Sequence, residues 1–103
     1  MSAAAERHMG KVAGIGCIAC ICLGHGPTPC QVHHIREGRI ARNDFLTIGL
    51  CREHHTGTHQ SVHMRKPELL RAIGVQSEFD LLAMVLGILA GERAPYGIAE
   101  HEY

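Results

Sequence analysis

Apolar and polar positions divide this chain into recognisable stretches. Phe45-Leu46-Thr47-Ile48-Gly49-Leu50 is apolar and partly β-branched, which predicts a strand. Cys30-Gln31-Val32-His33-His34-Ile35 predicts a shorter strand before it, and the polar run from Arg36 to Asn43 predicts the turn or loop between them. Gly24 to Pro29 is a loop by its glycine and proline content. Cys51 to Thr56 predicts the start of a helix, with Gly57 interrupting it. Pro67 to Ile73 predicts a short helix, with proline near its start and Gly74 just past its end. Ser77 and Asp80 form a capping box with aspartate in the usual Glu/Gln place. Behind it, Phe79, Leu81, Leu82, Met84, Val85, Leu86, Ile88 and Leu89 predict a nearly all-round apolar helix, either core packing or a dimer contact. Residues 1–8 are expected to be disordered, 9–92 to form one folded domain and 93–103 to form a tail. The fold class this predicts is small α+β, with C-terminal helices.

Length limits that domain. The 103 residues contain no Trp, two Phe and two Tyr, so large aromatics add little to the core. Such a chain gains much from a metal staple; structural zinc supplies roughly 10–16 kcal/mol of apparent binding free energy. The five cysteines are an odd number, which suits thiolate ligands in a reduced compartment better than a disulfide framework. With no apolar signal core and no long apolar run, the expected setting is cytoplasmic, with no membrane partner.

The metal ligands are unevenly placed. Cys17-Ile18-Ala19-Cys20 is matched by Cys51-Arg52-Glu53-His54, and both pairs have the spacing that lets two ligands grip one ion. Cys17, Cys20, Cys51 and His54 are thus a candidate closed tetrahedral Cys₃His zinc site. A thioredoxin-type redox role is weaker, because no βαβ pattern surrounds the CxxC. Cys22 and Cys30 are spare, and each reads as a small buried residue. Six of the nine histidines lie between positions 33 and 63. Beyond His54 they are His33, His34, His55, His59 and His63, enough for a second, open site. His33 and His34 are adjacent, so on a strand they point to opposite faces. One can ligate an ion while the other activates water. His55, His59 and His63 recur at helical spacing. A divalent cation held by neutral imidazoles can polarise a phosphodiester and stabilise a leaving oxygen, and a nearby histidine can take the proton from water.

The formal net charge is zero, which argues against a strongly steered polyanion binder, but its distribution matters. Residues 31–66 carry six cations against three acids, and residues 67–103 carry two against six. The positive segment coincides with the ligand cluster, which hints at an anionic substrate.

Val32-His33-His34-Ile35-Arg36-Glu37-Gly38, followed by Leu46-Thr47-Ile48-Gly49-Leu50-Cys51-Arg52-Glu53-His54-His55, resembles the HNH (ββα-metal, His-Me finger) endonuclease superfamily. Within it the chain most resembles the phage recombination-enhancement, RecA-dependent nucleases, over residues 9–86. The resemblance implies a ββα-metal core and cleavage of DNA. It implies His34 as general base and His33 and His55 as ligands of a catalytic Mg²⁺, Mn²⁺ or Zn²⁺. A further histidine completes the set: the family's motif favours His63, which ranks slightly ahead of His59, the residue that helical spacing favours. The middle Asn of the motif would fall near Leu46, whereas the nearest asparagine is Asn43. DNA and a RecA-type filament are the implied partners, homodimerisation is left open, and the setting would be host cytoplasm for a phage protein. Arg36, Arg39 and Arg42, on the loop between the strands, are candidate phosphate contacts. The alternative from another class is a catalytically inactive, zinc-stapled DNA- or protein-binding module. The full histidine set favours the nuclease.

Overall fold

The structure is a computed structural model that describes residues 2–91. Helix α1 spans Ala3–Ile15, α2 Ile18–Cys22, α3 Arg52–Thr56, α4 Lys66–Ile73 and α5 Glu78–Leu89. Strands β1, Gln31–His34, and β2, Thr47–Leu50, pair antiparallel. In their register His33 faces Ile48 and His34 faces Thr47.

The N-terminus corrects the sequence expectation. Residues 1–8 were expected to be disordered, yet a helix starts at Ala3. The Ser2 hydroxyl caps it by accepting from the Ala5 amide at 3.0 Å. The alanine run favours helix, and the burial of Ala5 and Val12 supplies what propensity alone does not. α1 packs on both strands and on α5. The expected tail, 93–103, lies outside the described residues.

The turn out of α1 positions the first pair of cysteines. Gly16 adopts φ +96°, and a Cβ there would lie 2.8 Å from the Thr28 carbonyl oxygen. Glycine meets both demands. The next amide, of Cys17, donates to that same carbonyl at 3.0 Å. Cys17 then caps α2, its sulfur accepting from the Cys20 amide at 3.3 Å.

The second strand is shorter than expected. Phe45 and Leu46 belong to a turn rather than to β2, because the Asn43 side chain accepts from the Phe45 amide at 2.8 Å and its carbonyl from the Leu46 amide at 3.0 Å. All four residues of β2 are buried. Around them the core gathers Val12, Ile18, Ile21, Ile35, Leu69, Leu81 and Val85. α5 is therefore core packing on one side, while Phe79 and Leu86 stay exposed. The predicted ends of both C-terminal helices are present. Gly74 takes the left-handed conformation after α4, and Ser77 and Asp80 make the reciprocal capping box of α5. Among the described residues no single helix is long and apolar enough to cross a membrane.

Candidate metal centres and active site

Two ligand clusters share α3, one through His54 and the other through its neighbour His55. In the first, Cys17, Cys20, Cys51 and His54 bring their ligand atoms within 4.8 Å of one another. The His54 Nδ1 is 3.6 Å from the Cys17 Sγ, 3.5 Å from that of Cys20 and 3.3 Å from that of Cys51, and the Cys20 and Cys51 sulfurs are 3.8 Å apart. A tetrahedral zinc ion with ordinary bond lengths sets sulfurs roughly 3.8 Å apart and sulfur to nitrogen roughly 3.5 Å. The donor set and its spacing thus fit a zinc-type ion. Burial pushes the Cys17 thiol up to about 12, backbone amides partly opposing it and the neighbouring thiols adding to it. A buried thiolate there needs a cation beside it. Burial also pulls the His54 imidazole down from its ordinary value, reinforced by His25 and opposed by Glu53, which favours the neutral, ligating form. Cys22 and Cys30 lie outside this cluster. Cys22 donates to the Met84 sulfur at 3.3 Å, and Cys30 to the Ala13 carbonyl at 3.5 Å.

The second cluster joins His33 of β1, His55 of α3 and His63 of the following loop, again with ligand atoms within 4.8 Å. The Nε2 atoms of His55 and His63 approach to 3.2 Å. The outward nitrogens are tied. His33 Nε2 donates to Glu78 Oε1 at 2.7 Å, and His55 Nδ1 donates to the Gln31 side-chain oxygen at 2.7 Å. In the neutral rings that leaves the other nitrogen of His33 and of His55 with a lone pair, as a metal ligand requires. Burial, then the neighbouring His33 and His63, holds the His55 imidazole below its ordinary value. Three imidazoles this close fit a divalent cation.

His59 is not in this cluster. Its side chain is 86% exposed, with Nδ1 3.7 Å from a Glu53 oxygen. The loop after α3 bends back instead, and the amides of Val62 and His63 donate to the carbonyls of His54 and His55. That return pairing brings His63 over α3 and leaves His59 at the tip. Thr58, His59 and Gln60 line an open groove there with Arg65 and Glu68.

His34 goes to a different partner from His33. Its Nε2 donates to Asp44 Oδ1 at 2.8 Å, so the lone pair sits on Nδ1. Sequence reasoning missed Asp44. Its signal was its place beside Asn43, just before the second strand, where an orienting group was sought. It also missed Glu78, which reads locally as an ordinary first-turn helix acid. Burial raises the Glu78 carboxyl, but His33 and Lys66 outweigh it, and the net result is a carboxylate held below the usual range. Lys66 lies 2.7 Å from Glu78 and 3.4 Å from Glu37. Arg36, Arg39 and Arg42 are exposed on the loop between β1 and β2.

No curated protein and no solved structure matches the chain. A family model described as recombination enhancement, RecA-dependent nuclease matches residues 2–83. That span covers α1, both strands, all the candidate ligands and the start of α5. The chain belongs to the recombination enhancement, RecA-dependent nuclease family.

Proposed function

We propose that this protein is a metal-dependent DNA endonuclease of the HNH type, with β1, β2 and α3 as its ββα-metal core. The observation that carries the reading is the split of the His33-His34 doublet. His33 joins a three-imidazole cluster, and its chain neighbour pairs with a carboxylate. One position can therefore ligate while the next handles a proton.

His34 Nδ1 accepts a proton from the attacking water. Asp44 holds the ring in the tautomer that leaves this nitrogen free and stabilises the imidazolium that forms. The water oxygen attacks phosphorus in line with the leaving 3′ oxygen. Mg²⁺, Mn²⁺ or Zn²⁺ held by His33, His55 and His63 would stabilise the charge developing on the phosphate and the leaving group. Arg36, Arg39 and Arg42 fix the flanking phosphates, contacts that carry little base information. Cys17, Cys20, Cys51 and His54 would hold a structural zinc ion, which would fix the start of α3 and so the placement of His55. The family's description points to DNA coated by a RecA-type recombinase as the substrate context.

The test is cleavage of supercoiled plasmid and of single-stranded DNA by wild type and His34→Ala. Each is assayed with Mg²⁺, Mn²⁺ or no divalent metal, with and without a recombinase filament. Metal-dependent cutting that falls by roughly 10²–10⁴-fold in a folded His34→Ala supports the reading. Cutting unchanged in that variant removes His34 as the base. Binding without cutting under every condition identifies an inactive binding module instead.

A further inference from the structure

α5 has no part in the chemistry proposed above, yet its first residue reaches the His33 ring of the histidine cluster. The Glu78 side chain is 5% exposed and makes two close contacts, Oε1 with His33 Nε2 and Oε2 with Lys66 Nζ, each at 2.7 Å. Its own backbone amide donates to Glu37 Oε2 at 2.8 Å, and Lys66 bridges back to that same oxygen at 3.4 Å. The loop that follows β1, the start of α4 and the start of α5 are thus tied into one partly buried polar network beside His33. Every member has a partner, which is the condition under which such a network holds one geometry.

We propose that Glu78 is a positioning residue for the metal centre: it fixes the ring of His33 by accepting from Nε2, so that His33 ligates through Nδ1. The inference rests on the reading that His33, His55 and His63 hold a metal. The chemistry follows from the acceptor. A carboxylate has no proton to give, so Nε2 carries the hydrogen and only Nδ1 keeps a lone pair. A carboxylate accepting from the far N–H also makes the ligating nitrogen more basic. His55 is oriented by the neutral amide of Gln31, a weaker acceptor. Of the two tied histidines, His33 is therefore the more strongly oriented. Lys66 holds the second Glu78 oxygen at 2.7 Å and so aims the carboxylate, and Glu37 holds the start of α5 in place. A helix that packs the core also carries the group that orients a ligand.

The experiment uses the full chain with zinc in its thiolate site. Nitrogen NMR at alkaline pH, where the imidazoles are neutral, reads the tautomer of His33. Calorimetry with Co²⁺ reads the second site, with His33→Ala identifying which binding step belongs to it. The expected results are an Nε2–H tautomer in wild type, affinity lower by roughly 10- to 100-fold in Glu78→Ala, and recovery of most of it in Glu78→Gln, which keeps an acceptor oxygen. An Nδ1–H tautomer in wild type, or equal Co²⁺ affinity in folded Glu78→Ala, overturns the positioning role and leaves the metal site standing. A wild type that takes up no second Co²⁺ overturns the metal site and the inference together. Should Glu78→Ala not fold, the wild-type tautomer and the Glu78→Gln affinity decide.

Discussion

At the scale of single residues, the acid sensitivity of the fold follows from two directions of shift. His54 and His55 are held below the ordinary imidazole value of 6.5. The unfolded chain therefore binds protons first as pH falls, and stability is full above 6.5 and declines below it. Glu78 is held below the ordinary 4.5, so its contribution is full above that value and is lost further down. Metal-free protein is thus predicted to lose stability in two stages on acidification, measured by urea unfolding across pH. Stability that rises on acidification from neutrality would contradict the assignment. Much of the ligand set was legible at this scale, because CxxC and CxxH spacings state which atoms meet. The choice between His59 and His63 was not. Both sit at helical intervals from His55, and the helix that would have favoured His59 stops at Thr56. Glu78 was silent because its partner is set by tertiary contact, 45 residues away in the chain, and Asp44, 10 residues from His34, gave only its place beside Asn43 as a signal.

At the scale of elements, the two ends of the chain behaved differently. The capping box of α5 could be read directly, since Ser77 and Asp80 interact locally. Ser77→Ala is predicted to cost about 0.5–2 kcal/mol by denaturant unfolding. It should also weaken metal binding at the histidine cluster, because the next residue is Glu78. α1 was missed because Gly10 and Gly14 weaken its helical signal, and burial of Val12 against the core compensates. Nothing lies within 4 Å of a Cβ placed at either glycine. Gly10→Ala and Gly14→Ala are each predicted to stabilise by about 0.5–1 kcal/mol. By contrast, a Cβ at Gly49 would meet the Gly16 carbonyl at 2.6 Å and the Cys30 sulfur at 2.7 Å. Gly49→Ala should therefore destabilise by about 1–3 kcal/mol, because the contact is with backbone in a tightly packed strand.

At the scale of the whole molecule, a core poor in aromatics is joined to a four-ligand site that links α2 to α3. Cys20→Ser, or removal of the metal by a chelator, is predicted to lower the thermal midpoint sharply while leaving a weaker cooperative transition. A small change would show that the core stands without the ion. The positive segment at residues 31–66 predicts DNA affinity that falls with salt by about 0.9 log units per log unit for each phosphate contacted. Replacing Arg39 should lower that slope by about one contact and affect all sequences alike.

The claim that ties these scales together is that catalysis is centred on the His33, His55 and His63 cluster. The most direct measurement is metal-dependent DNA cleavage by His63→Ala beside His59→Ala, with circular dichroism as the control for folding. The account predicts that His63→Ala loses cleavage while His59→Ala cuts like wild type. Cleavage that survives in His63→Ala and disappears in His59→Ala would contradict it.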